Sequence, residues 1–213
     1  KAAADAKPAA APKKKAEPVR IVFEGLRERA SFLPLGMDVA DPVISPDGKL
    51  LATDGIDNDR AVIQVRDLAT GNLLHSLMGH EAAVVSLAFS ADNTKIVSGS
   101  DDKTARVWNL ADAETPEVAR FAGHTMAVTA VTFNTDGSQV LSGSADNSVQ
   151  LWAVADGMET MKFAGHTAAV VAVAMTSANL PISASADKTV RFWNAADGKQ
   201  ARVISGTEAI SAM

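Results

Sequence analysis

Cysteine is absent from the 213 residues, which removes disulfides, thiolate metal sites and a cysteine nucleophile from consideration and leaves reducing and oxidising compartments equally open. Tyrosine is absent too, and aromatic residues make up 5% of the chain, too few for a platform on which single-stranded nucleic acid would stack. No apolar run approaches the length of about 18 residues that a membrane-spanning helix requires, so no membrane insertion is expected. Glycine-rich phosphate loops are missing: the SGS and SGTE strings lack the lysine and the helix of a P-loop, and no cofactor is expected. The net charge of −5 is unevenly placed. Residues 1–18 carry five lysines against two acidic residues, and the remainder carries 15 basic against 23 acidic. An acidic body is a poor non-specific binder of phosphate backbones, so no nucleic-acid partner is expected.

What the chain does contain is a repeat. GHTMAVTAVTFNTDGSQVLSGSADNSVQLW (123–152) is preceded by GHEAAVVSLAFSADNTKIVSGSDDKTARVW (79–108) and followed by GHTAAVVAVAMTSANLPISASADKTVRFW (165–193). The Gly-His histidines His80, His124 and His166 are 44 and 42 residues apart, and Trp108, Trp152 and Trp193 are 44 and 41 apart. Within each copy, β-branched runs such as Val84–Phe89, Val128–Phe133 and Val170–Met175 read as buried strands. They are separated by Gly, Asn and Asp turns that tolerate the positive φ of tight hairpins. Each unit therefore reads as a four-stranded antiparallel meander. A degenerate first copy spans 38–78, with strands expected at 43–45, 50–53, 61–65 and 73–78; it has no Gly-His, and Arg66 stands where the others have tryptophan.

A period of about 40 to 45 residues with Gly-His and Trp marks resembles the WD-repeat β-propeller family. The resemblance covers about 38–213 and implies an all-β fold, a β-propeller of four-stranded antiparallel blades at 38–78, 79–122, 123–164 and 165–205, with the start of a further repeat at 206–213. About four blades are visible, and the expectation is part of a larger, seven-bladed ring. Residues 1–18, rich in Ala, Lys and Pro, read as a disordered tail or linker. Residues 19–37 read as lead-in strands, and the string from Phe23-Glu24-Gly25-Leu26 through Arg29 to Leu33-Pro34-Leu35 is similar to the lead-in of tricorn-type protease propellers, which suggests a bacterial-type chain.

Each full copy also holds a serine, a histidine and an aspartate at fixed offsets from its tryptophan: His80, Ser98, Asp102 and Trp108; His124, Ser142, Asp146 and Trp152; His166, Ser183, Asp187 and Trp193. Taken singly, this is hydrolase chemistry, with a base activating a serine and a carboxylate orienting the base. Three copies in register argue for a role repeated once per blade. The WD resemblance implies that role: a structural tetrad in which Asp accepts from His, His bonds Ser, and Ser reaches the indole N–H. No catalytic residue is expected. Asp54, Asp57, Asn58 and Asp59 cluster oxygen ligands that suit Ca²⁺ but lack EF-hand spacing, and read as an acidic turn with no metal. The resemblance also implies a partner-binding face built from the loops that lead into each blade: Glu81 and Asp101, Thr125 and Met126, and Thr167, set among small uncharged residues. The expected function is a non-catalytic scaffold for a protein or peptide partner. The alternatives are an accessory propeller of a larger enzyme such as a tricorn-like peptidase, and self-association of two copies through open propeller edges.

Overall fold

The computed structural model describes residues 42–57, 60–112 and 116–208; the expected tail, lead-in strands and tricorn-like string lie outside them. The described residues form sixteen strands in four four-stranded antiparallel sheets. Blade 1 holds β1 (Val43–Ile44), β2 (Leu50–Asp57), β3 (Arg60–Asp67) and β4 (Leu73–Met78). Blade 2 holds β5 (Val84–Phe89), β6 (Lys95–Ser100), β7 (Ala105–Asn109) and β8 (Glu117–Phe121). Blade 3 holds β9 (Val128–Phe133), β10 (Gln139–Ser144), β11 (Val149–Ala153) and β12 (Glu159–Phe163), and blade 4 holds β13 (Val170–Met175), β14 (Pro181–Ser185), β15 (Thr189–Trp193) and β16 (Gln200–Ser205). Each sheet runs in chain order from first strand to fourth, and the first strands pack side by side from blade to blade. The architecture is the all-β, bladed one the repeat implies.

Blade 1 departs from the sequence reading in one respect. Residues 54–57 do not belong to a turn: β2 runs on to Asp57, which pairs with Arg60. The acidic composition that suggests a turn is carried instead by a longer ladder, since every residue from Leu50 to Asp57 has a partner in β3.

The turns between first and second strands each place one residue in the left-handed region. Glycine does so in blades 1 and 3, at Gly48 (φ 72°) and Gly137 (φ 71°), and asparagine in blades 2 and 4, at Asn93 (φ 61°) and Asn179 (φ 56°). Asparagine bears this conformation better than most residues, and here its amide has a second use. The Oδ1 of Asn93 accepts the Asp47 N–H of the preceding blade at 3.3 Å, and that of Asn179 accepts the Thr135 N–H at 3.2 Å. Blades 1 and 2 are thereby clasped at their lower edge, as are blades 3 and 4.

The core lies between blades. Strand alternation gives each sheet one face toward the next blade, its forward face, and one toward the preceding blade, its rear face. Forward residues Val97, Val107, Ala119 and Phe121 of blade 2 cluster with rear residues Val128, Val131, Phe133, Val140 and Trp152 of blade 3. The same register recurs between blades 1 and 2 and between blades 3 and 4. Close approach is set by two glycines. A Cβ on Gly99 would lie 2.9 Å from Val128 Cγ1, and one on Gly143 would lie 2.5 Å from Val170 Cγ1 and 2.9 Å from Val173 Cγ1. Gly143→Ala is accordingly expected to destabilise the chain by about 1 to 3 kcal/mol, the usual cost of overpacking a filled core. Urea unfolding measures it, and an unchanged midpoint would mean that the blades separate without penalty.

Candidate functional site

The Gly-His pairs lie just after the outer strands, on the segments that carry the chain into the next blade. Gly79, Gly123 and Gly165 are glycine because side chains of the following blade fill the space: an added Cβ would meet Trp108, Trp152 or Trp193 at 3.1, 2.5 or 3.1 Å, and at Gly79 and Gly165 also Arg106 or Arg191 at 2.6 or 2.5 Å. The glycine lets the backbone pass under the indole and turn the next side chain, the histidine, into the blade. His80, His124 and His166 are all buried.

There each histidine makes two short contacts. Nδ1 lies 2.8, 3.2 and 2.9 Å from Oδ2 of Asp102, Asp146 and Asp187. Nε2 lies 2.7 Å from Oγ of Ser98, Ser142 and Ser183. The indole N–H groups of Trp108, Trp152 and Trp193 donate to the same hydroxyls at 2.8, 2.7 and 2.8 Å. An indole can only donate, so each serine oxygen accepts from tryptophan and has its own proton to place. Histidine Nε2 is its nearest acceptor; the Arg106 and Gln150 carbonyls stand at 3.4 Å. Nε2 therefore accepts and Nδ1–H donates to aspartate, which describes a neutral imidazole.

The electrostatics agree. Burial pushes all three histidine pKa values below 6.5, and the raising influence of the adjacent aspartate does not reverse this. Burial alone would raise the aspartates. Hydrogen bonds from Thr104, Ser148 and Thr189, together with those from histidine and backbone N–H groups, overcome it and hold Asp102, Asp146 and Asp187 well below the ordinary carboxylate range. Those hydroxyls are members of the network that the sequence reading missed. Each donates to aspartate Oδ1 at 2.6 Å, and its signal was present as a Ser or Thr two residues after each aspartate.

Blade 1 has none of this. By strand register Thr53 stands at the serine position and Arg66 at the tryptophan position. Thr53 Oγ1 and Arg66 Nε are buried without a hydrogen-bond partner among the described residues. Arg66 instead donates to Gln64 Oε1 at 2.9 Å and to the Gly71 carbonyl at 3.2 Å.

The aspartates also hold the loops above them. The N–H groups of Glu81, Thr125 and Thr167 donate to the Oδ2 atoms of Asp102, Asp146 and Asp187 at 3.1, 2.9 and 3.0 Å. The next two residues are fixed in all three blades: in blade 3 Ser144 Oγ donates to the Met126 carbonyl at 3.2 Å and the Ala145 N–H to that of Ala127 at 3.0 Å, and Ser100 with Asp101 and Ser185 with Ala186 do the same in blades 2 and 4. Met126 is 51% exposed on this pinned backbone. Glu81, Asp101, Thr125 and Thr167 are exposed at the same edge of their blades. Four more large apolar side chains are exposed in blade 1: Ile56, at 77% near the end of β2, Leu73 and Leu74 on β4, and Met78, which with Arg60, Ala61, Gly79, His80 and Glu81 lines a depression of about 510 Å³. Asp54 and Asp57 are three residues apart on one strand and so project to opposite faces; Asn58 and Asp59 lie outside the described residues.

Comparison with known proteins gives the same pattern a family context. The family described as WD domain, G-beta repeat matches residues 71–109, 116–153 and 157–194, more than half of the chain. The periodic tryptophan protein 2 homolog of Neurospora crassa is 39% identical over 83 residues, covering 39% of this chain and 8% of that protein. The U3 small nucleolar RNA-associated protein 15 homolog of Xenopus tropicalis is 44% identical over 64 residues, covering 30% of this chain and 12% of that protein. The crystal structure of the RRP9 WD40 repeats superposes with a TM-score of 0.73 at 27% identity, covering 82% of this chain and 53% of that chain. The chain thus spans about a tenth of these curated relatives and about half of the solved propeller. Both relatives are eukaryotic, and neither carries the bacterial-type or tricorn-like expectation.

Proposed function

The chain belongs to the WD40 repeat family, and we propose on that footing that it is a non-catalytic scaffold whose loop face, centred on Met126, docks a protein or peptide partner. The observation that carries this is the pinning of Thr125, Met126 and Ala127 by three consecutive hydrogen bonds beneath an exposed methionine side chain. A loop already held in place loses little conformational entropy on binding, and an exposed methionine adapts to an apolar partner surface. Glu81, Asp101, Thr125 and Thr167 form a polar surround.

The three serine, histidine and aspartate sets are read as structural tetrads. Ser98, Ser142 and Ser183 are at most 1% exposed and already engaged on both sides, so a substrate carbonyl has no approach to the hydroxyl. The lowered aspartate and histidine pKa values arise within the same bonds that close the blade, and a role in holding the loops accounts for them.

Met126→Asp tests the binding face. It should leave the melting temperature within about a degree, as exposed substitutions cost under about 0.5 kcal/mol, and should weaken capture of the partner by the intact protein at least tenfold. Partners indifferent to the change would remove the face from consideration. One relative is named for association with small nucleolar RNA, so the assay includes an RNA arm.

A further inference from the structure

We propose that the outer edge of blade 1 is a second interaction surface, which takes an extended, uncharged peptide by strand addition to β4 and seats one apolar side chain of that peptide in the depression beside Met78. The fourth strand of every blade, β4, β8, β12 or β16, is an edge with a described strand on one side only. Such edges are ordinarily kept from pairing further by charged side chains. Three of the four conform: β8 carries Glu117 and Arg120, β12 carries Glu159 and Lys162, and β16 carries Arg202. In β4, Leu-Leu-His-Ser-Leu-Met, there is no Lys, Arg, Asp or Glu. It exposes Leu73 and Leu74 at 48% and Met78 at 47%, whereas β8 exposes one large apolar side chain, Val118, β16 one, Ile204, and β12 none. Leu77 alone of the large apolar residues in β4 is buried, in the core shared with blade 2. The strand is anchored there and open elsewhere.

Charge and area select the occupant. A charged strand laid on β4 finds no opposite charge in it, while an apolar one finds three half-exposed apolar side chains; main-chain hydrogen bonds supply the affinity and these contacts the choice. The strand ends at Met78, which with Ala61 gives the depression of about 510 Å³ its large and small apolar side chains, and Arg60 and Glu81 bring opposite charges to the same lining. A peptide that follows β4 therefore runs into a recess that selects neither sign of charge. A second copy of this chain is a poorer occupant. Six residues span about 20 Å, and a strip of that length and about 10 Å of sheet thickness buries roughly 400 Å² from two copies, well short of the roughly 1,200 Å² at which stable specific interfaces begin. Two propellers meeting edge to edge touch along that strip alone, whereas a peptide also fills the depression.

The probe is a phage-displayed library of random dodecapeptides selected on the full chain. Selected peptides should carry apolar residues at alternate positions. Ser76→Lys gives β4 a charge at an exposed position and should lower their affinity at least tenfold without moving the melting temperature; Leu74→Lys is the second such variant, and Met126→Asp on blade 3 should change nothing. Methylating alternate backbone nitrogens of a selected peptide isolates main-chain pairing: one alternate set should cost at least tenfold and the other less than threefold. Trimming the peptide's terminal apolar side chain to alanine should cost at least fivefold with the unmodified chain and nothing further with Met78→Asp. An empty selection, or peptides indifferent to both lysine variants, overturns the surface. Equal effects of the two methylated sets overturn strand addition, and an equal alanine loss in Met78→Asp overturns the seat in the depression. A stable dimer of the chain that Ser76→Lys dissolves assigns the edge to a second copy and overturns the proposal as well.

Discussion

Trp152→Ala should remove about 3 to 5 kcal/mol of stability, the range for deleting a large aromatic from a core. Several interactions of one side chain vanish together in that variant. The indole is 4% exposed, stacks on Phe121 of the preceding blade with ring centroids 5.3 Å apart and planes 20° apart, and donates its N–H to Ser142. It also covers Gly123, where an added Cβ would lie 2.5 Å from the indole. Trp152→Phe separates the contributions: the ring stack is retained, and the loss falls to about 1 to 3 kcal/mol for the Ser142 hydroxyl left without its indole donor. Unfolding in urea, followed through Trp108 and Trp193, measures both. Equal losses for the two variants would show that the ring does not bridge the blades.

Mild acid should be the second strong perturbant. The three buried histidines have folded-state pKa values below 6.5, so between those values and 6.5 the unfolded chain binds protons that the folded chain does not. Stability is then fully present above about pH 6.5 and is lost as pH falls below it, with a slope of up to about 1.4 kcal/mol per pH unit for each histidine and about 4 for three. The tetrad aspartates add a second loss in the same direction at lower pH, because their folded pKa values are also depressed. Urea midpoints between pH 8 and 5 test this, and His124→Gln should remove about a third of the upper slope. A midpoint unchanged from pH 7.5 to 5.5 would rule out neutral buried imidazoles.

Much of the fold is legible because it repeats. Val84–Phe89, Val128–Phe133 and Val170–Met175 are strands from first residue to last, since β-branched runs bounded by Asn, Asp and Gly admit little else. The β2–β3 hairpin was not legible, because Asp54-Gly55-Ile56-Asp57 has a turn's composition while cross-strand pairing keeps it extended. That misreading also hid Ile56 as an exposed side chain. The tetrad residues are visible as letters in all three copies, whereas Arg106 recurs only as Arg191 and is replaced in blade 3 by Gln150: it is 5% exposed, bonds Glu117 at 2.7 Å and lies 3.9 Å from Asp102. A position that varies between copies leaves no periodic mark. The same applies to Gly99 and Gly143, which acquire meaning only against the valines across the interface.

The histidines sit on the connecting segments and not on the strands, and this has a mechanical consequence. A tension drawn along the polypeptide reaches each connector before it reaches a ladder, and at His80, His124 and His166 it is borne by side-chain bonds anchored 17 to 22 residues further on. The array is thus riveted at three successive joints, so that peeling one blade does not by itself load the next. Blade 1, with Thr53 and Arg66 at the serine and tryptophan positions, has no such rivet.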